Sequence, residues 1–179
     1  MIRIRYLVAA SLDGFIAGPN GEADWIPMDP DVDFGAIFSQ FDTIFVGRRT
    51  FEGMARAGMA TMPGMKTFVF SRTLRAEDYP DVTVLGGRAE EAAAALKAGS
   101  GSAESASKDI WLFGGGALFR SLAEAGLVDT VEVSVAPILL GSGIPLAPDP
   151  AKRIELKFTG HKVYKTGVVG LEYEICRMA

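Results

Sequence analysis

Residues Asp109 to Glu124 read DIWLFGGGALFRSLAE, a strand, a glycine turn and a helix in immediate succession. Ile110, Trp111, Leu112 and Phe113 form an apolar run of strand length and β-preferring type. Gly114, Gly115 and Gly116 follow at once, and a backbone without side chains lets a ligand come close to the main chain. Leu118, Phe119, Leu122 and Ala125 then recur near one face of a helix. Its first amides have no intrahelical partner and lie at the positive end of the helix dipole, which suits a phosphate or pyrophosphate. A tight turn without a ligand explains three glycines equally well, so the rest of the chain has to decide.

With 179 residues and 49% hydrophobic content, the chain is long enough for one domain with a good core and short for two, so residues 1–179 are taken as a single domain. A net charge of −4, from 18 basic and 22 acidic residues, gives no basic stripe for nucleic acid and no acidic tail. The start MIRIRYLVAASLDG has too short an apolar run for a signal peptide, and no stretch approaches the roughly 18 apolar residues of a membrane span. A cytoplasmic protein is expected, without nucleic-acid or membrane partners. Cys176, the single cysteine, has no disulfide partner, and His161 has no second histidine or cysteine cluster to complete a metal site. In these late strand-like segments Cys176 is expected as a packed thiol and His161 as a half-exposed imidazole, and no metal is expected.

Ile2–Ala10 alternates and then turns uniformly apolar, as a strand entering the middle of a sheet does. Ser11–Trp25 is dense in glycine, proline and asparagine and forms a long shaped loop, functional or a mobile hairpin. Asp31–Phe41 spaces Phe34, Ile37, Phe38 and Phe41 as a helix, with Asp29, Asp31 and Asp33 at its entrance, where carboxylates favour a helix start. One of these acids at the edge of an apolar pocket is a candidate proton donor or substrate anchor. Strand Thr43–Val46 runs into Gly47, Arg48, Arg49 and Thr50 and a short helix from Phe51. Strand Lys66–Phe70 ends in Ser71 and Arg72. Strand Val82–Leu85 ends in Gly86, Gly87 and Arg88, before a helix at Ala89–Lys97. Residues 99–108, GSGSAESASK, form a polar linker. Thr130–Pro137 alternates, and Ile154–Val163 with Val168–Arg177 forms an antiparallel hairpin.

Four strands thus end in small or basic clusters. In an open α/β sheet ligands bind beyond the carboxyl ends of parallel strands, so these clusters converge on one crevice. The expected fold is α/β: a mainly parallel mixed sheet of about eight strands, closed by an antiparallel C-terminal hairpin, with helices on both faces.

The stretches YLVAASLDGFIAGPNGEADW, DTIFVGRRTFEGM, FVFSRTL and DIWLFGGGALFRSLAEAGLVDTVEVSVAPILLGSG together resemble the dihydrofolate reductase-like superfamily over nearly the whole chain. The resemblance is closest to its riboflavin-biosynthesis branch, the RibD C-terminal domain-like proteins. It implies that Ala9 and Ala10 border a nicotinamide, with Ile16 beneath the ring and Trp25 closing the covering loop. Gly47, Arg48, Arg49 and Thr50 would hold the phosphates. Ser71 and Arg72, with Arg88 beside them, would hold the adenosine end and its 2′-phosphate. Gly114, Gly115, Gly116 and Ala117 would hold the pyrophosphate.

On the substrate side, the folate enzymes carry an acid on the first helix. Asp31 and Asp33 compete for that position here, and phasing with Phe34 and Ile37, which would line the pocket, favours Asp33. Asp13 of the SLDG signature would lie near the substrate. The resemblance implies an NADPH-dependent reductase acting on a small heterocycle or sugar-amine, first a phosphoribosylamino-pyrimidine of riboflavin biosynthesis and second dihydrofolate. A non-catalytic NADPH-binding protein is the rival of another class. The resemblance also implies a homodimer, with the C-terminal strands as interface.

Overall fold

The computed structural model describes residues 2–98, 108–149 and 153–176; the linker expected over residues 99–108 falls, Lys108 apart, outside them. Among the described residues, ten strands and four α-helices follow in the order β1 Ile4–Ser11, β2 Phe15–Ala17, α1 Phe34–Phe38, β3 Phe41–Gly47, α2 Arg48–Arg56, β4 Lys66–Phe70, β5 Thr83–Leu85, α3 Ala89–Lys97, β6 Asp109–Gly114, α4 Gly116–Glu124, β7 Thr130–Ala136, β8 Ile144–Pro145, β9 Leu156–Val163 and β10 Val169–Ile175, with a short 3-10 helix at Ala76–Asp78 between β4 and β5. Eight of the strands form one sheet in the order β5-β4-β3-β6-β1-β7-β10-β9, and β2 pairs with β8. All neighbours from β5 to β7 are parallel, whereas β10 and β9 are antiparallel. The expected mixed sheet and C-terminal hairpin are therefore present.

Side chains of a strand alternate between faces, and two apolar clusters result. Tyr6, Phe45, Ile110 and Leu112 pack with Ala93 of α3 and Leu118, Phe119 and Leu122 of α4. Ile44, Val46 and Trp111 pack on the other face with Phe51 and Met54 of α2, and Ile37 and Phe38 of α1 join them. Crossovers between parallel strands are right-handed. The chain moves one way along the sheet from β1 to β5 and back from β5 to β7, so its helices fall on opposite faces.

Cys176 and His161, expected packed and half-exposed, are both exposed, because β9 and the end of β10 lie at the uncovered margin of the sheet. Most expected strand bounds shift by a residue or two, and three larger differences have local reasons. The helix expected over Asp31–Phe41 shrinks to the five residues of α1, because Phe41 is buried against the Trp111 ring at 5.6 Å and opens β3 instead. The helix expected from Phe51 starts at Arg48, since Gly47 takes an extended N-cap conformation with φ −79° and ψ 156°. Arg48, Arg49 and Thr50 therefore form its first turn. The Ser11–Trp25 loop contains β2, which a two-residue partner, β8, holds in place.

Candidate active site

Five parallel strands end side by side, four of them with a cluster singled out from the sequence. Along the edge come Gly86, Gly87 and Arg88 after β5, Ser71 and Arg72 after β4, Gly47 and Arg48 at β3, the glycine turn after β6, and Ser11 closing β1. At about 4.8 Å between strands this row spans roughly 19 Å. Its order reverses the sequence order once, between β3 and β1, where β6 has been inserted, and such a switch point opens a crevice.

At that point the backbones are close. A Cβ placed on Gly47 would lie 3.6 Å from the Gly115 amide nitrogen and 3.7 Å from the Gly114 carbonyl oxygen. The three glycines are there for three reasons. Gly114 has φ +149°, which side chains rarely adopt, and the peptide to Gly115 is cis. A Cβ on Gly115 would stand 3.0 Å from Thr50 Oγ1 of α2. One on Gly116 would meet Pro145 O at 2.5 Å and Pro148 Cδ at 2.7 Å, so Gly116 serves packing against the β8 segment. Ala117 is exposed.

The helices that start at this edge share one property. The N-caps of α2, α3 and α4 are Gly47, Arg88 and Gly115, and none makes a side-chain cap hydrogen bond. Their leading amides and dipole ends are left for an outside acceptor. Around them, Arg49 and Arg72 are exposed, Arg48 pairs with Glu52 at 3.0 Å and Arg88 with Glu91 at 3.4 Å. Ser71 Oγ accepts the amides of Thr73 at 3.2 Å and Leu74 at 2.9 Å, which folds the turn after β4 and leaves its O–H to donate. Anion-binding groups from α2, α4 and the β4 and β5 ends are thus brought to one edge.

On the substrate side the strand period separates two neighbours. Ala10 is buried in the cluster under α4, whereas Ala9 is half-buried and shares the other face with Leu7, which packs toward α1. Ile16, on β2, packs against the α4-side cluster. Trp25 is half-buried and its Nε1 donates to Glu22 O at 3.0 Å. Ile37 packs inward from α1, and Phe34 lies exposed with its ring 5.9 Å from that of Phe38. Leu7, Phe38 and Phe113 complete this apolar surface, and Leu7 O holds Trp111 Nε1 at 2.8 Å. They were missed in the sequence, although Leu7 precedes Ala9 by one strand period.

The candidate acids stand apart. Asp33 is the N-cap of α1, its Oδ1 accepting the Ala36 amide at 2.8 Å, and Asp31 pairs with Lys165 at 2.8 Å; both are exposed. Asp13 accepts the Ser11 hydroxyl at 2.6 Å and the amides of Leu140 at 3.1 Å and Gly141 at 2.7 Å. These donors, Ser11 foremost, hold its carboxyl below the usual carboxylate range. Asp29, unremarked beyond its place near a helix start, is the buried acid of the group. No group of metal-ligating side chains occurs among the described residues, and no helix there is long and apolar enough to cross a membrane.

Known proteins share this fold. The model of the RibD C-terminal domain matches residues 3–170. The uncharacterized protein YyaP of Bacillus subtilis (strain 168) is 36% identical over 183 residues, spanning 96% of this chain and 94% of its own. A Shewanella sp. PV-4 protein provisionally assigned to riboflavin biosynthesis superposes with TM-score 0.80 at 25% identity, over 99% of this chain and 100% of that one. Dihydrofolate reductase from Enterococcus faecalis, solved with NADP(H), superposes with TM-score 0.65 at 21% identity, over 97% and 94%. The chain belongs to the RibD C-terminal domain family, built on the fold of dihydrofolate reductase.

Proposed function

We propose that the protein is an NADPH-dependent reductase of a small heterocyclic substrate, with a phosphoribosylamino-pyrimidine of riboflavin biosynthesis as first choice. The observation that carries this reading is the seam where Gly47 meets Gly114 and Gly115, flanked by the uncapped starts of α2 and α4. That donor set suits a pyrophosphate. Arg49, Arg72 and Ser71 suit a 2′-phosphate one and two strands further along the edge.

Bound NADPH would supply the hydride; the chain supplies position and shelter. The apolar surface of Leu7, Ile37, Phe38 and Phe113 suits a flat ring and excludes water. Asp33 is the acid assigned to anchor the substrate or deliver a proton, since α1 borders that surface and only one of its two oxygens is committed to the cap. Asp13 has three donors already and serves better as a tie between the SLDG loop and the Leu140–Gly141 segment.

The test is optical measurement of NADPH oxidation across a panel that includes dihydrofolate and the phosphoribosylamino-pyrimidine. Turnover of the pyrimidine is expected. Turnover of dihydrofolate alone would replace the substrate assignment, and NADPH binding without any turnover would favour the non-catalytic alternative. We also propose a homodimer formed through β9 and β10, because Leu156, Phe158 and Val163 of edge strand β9 are 43%, 54% and 66% exposed.

A further inference from the structure

Met28, Pro30 and Asp31 are exposed, yet Asp29 between them is only 4% accessible. Both its oxygens are used: Oδ1 accepts the Asp31 amide at 2.8 Å and Oδ2 the Thr166 amide at 2.9 Å. The second bond joins residues 137 apart in sequence. Thr166 lies in the turn between β9 and β10, which the bonds Gly167 N to Tyr164 O at 3.0 Å and Tyr164 N to Val168 O at 2.9 Å close. Val169 stands opposite Val135 near the end of β7, so the turn lies at the same sheet edge as the crevice. Outside the buried bonds, Lys165 reaches Asp31 at 2.8 Å.

A buried carboxylate is unfavourable unless donors replace its water. The amides do so, Thr166 foremost, and hold the Asp29 carboxyl below the usual carboxylate range, with Lys165 the nearby cation. What this fixes is the entry to α1. That helix has five residues and none is buried, so packing alone does not set its place. Its far end is tied by Lys108 Nζ to Ser39 O at 2.8 Å and by Arg5 to Gln40 Oε1 at 2.6 Å. Its near end has Asp29.

We infer that Asp29 is a positioning residue that ties the entry of α1, and with it Asp33, Phe34 and Ile37, to the β9–β10 turn at the crevice edge. The inference rests on the proposed function in taking α1 as the substrate-side wall. An asparagine would accept one amide and turn its NH2 toward the other, so Asp29→Asn removes the tie with little change of volume. In the full chain this variant should speed amide exchange over residues 30–38 and 164–168 at least about tenfold, or ~1.4 kcal/mol of local stability. β1 and β6 should keep their protection, and NADPH affinity should change less than about twofold. For a panel substrate that the wild type turns over, KM should rise about tenfold or more with kcat much less affected.

Unchanged exchange in those two segments would overturn the inference, as would equal acceleration in β1 and β6 or loss of folding, which would make Asp29 a support of the whole fold. Lys165→Ala removes the exposed pair and the cation near Asp29 but neither amide bond, and should leave exchange within about threefold; an effect matching Asp29→Asn would move the tether to Lys165 and overturn the assignment. If the wild type turns over no panel substrate, the proposed function fails, while exchange still decides the tie.

Discussion

Each acid near the crevice already holds a donor, and the donor decides what a substitution tests. Asparagine caps helices about as well as aspartate. Asp33→Asn therefore keeps the Ala36 bond and removes the charge. Turnover should fall at least about tenfold, toward the ~10²–10⁴ typical of acid–base groups, with the urea midpoint and NADPH affinity unchanged. Asp31→Asn, which breaks only the exposed pair with Lys165, should be nearly silent, and the reverse result would exchange the two assignments. Asp13 predicts a pH effect. Its carboxyl is lowered by Ser11 and the Leu140 and Gly141 amides, so its stabilisation is complete above about pH 4, the ordinary carboxylate value, and is lost as pH falls through the lowered folded value. The gap in urea midpoint between wild type and Asp13→Asn should close on acidification below about pH 4; a gap constant down to pH 2 would show that the charge is irrelevant. Arg72 tests the cofactor. One or two arginines on a 2′-phosphate contribute about 1.5–3 kcal/mol each, so NADPH should bind at least about tenfold tighter than NADH. Arg72→Ala should weaken NADPH, spare NADH, and matter less as salt rises. Equal weakening of both would remove the 2′-phosphate from Arg72.

The helices and strands that were legible in the sequence are those whose own residues decide them. Ala89–Lys97 and Lys66–Phe70 have the bounds read from the sequence, because an alanine-rich run and a short continuous β-preferring apolar run need little context. Phe41 was misread because helical spacing and a strand start look alike until Trp111 covers the ring. The β2–β8 pair could not be read at all: Phe15 meets Pro145, a contact that no local window contains. The candidate site divides in the same way. Its glycines and arginines were visible as strand ends, whereas the use of Asp29 depends on a turn far along the chain. Glycine substitutions separate local from remote causes. Gly53, inside α2 with nothing within 4 Å of an added Cβ, should gain about 0.5–1 kcal/mol as alanine. Gly116→Ala should destabilise, since its Cβ would lie 2.5 Å from Pro145 O. Leu122→Ala, at a fully buried position of α4, should cost about 2–5 kcal/mol in a urea melt. A Gly116→Ala protein as stable as the wild type would mean that the β8 segment yields freely.

Across the whole molecule the sheet has a paired interior and an open apolar margin. The Phe158 ring lies 5.7 Å from Tyr173 and 6.0 Å from His161, on strands β9 and β10 at that margin. Light scattering at micromolar concentration should give twice the monomer mass, and Phe158→Asp should halve it; a wild-type monomer would remove the dimer. Deeper inside, Arg5 and Glu132 join by two bonds of 2.7 and 2.6 Å, with both side chains 11% exposed. Removing Arg5, which leaves the Glu132 carboxylate without its guanidinium, should cost about 3–5 kcal/mol. Removing Glu132 should cost less, because Arg5 keeps Asp109 at 3.5 Å and Gln40 at 2.6 Å. The place of β1 between β6 and β7 has a further consequence, for the order in which the chain emerges from a ribosome. Both neighbours of β1 are encoded after residue 108, so β1 must wait unpaired while the roughly hundred residues between it and β6 are made. A nascent chain halted at Ala98 should leave Tyr6 open to protease, and protection should arrive only when β6 and β7 have cleared the exit tunnel.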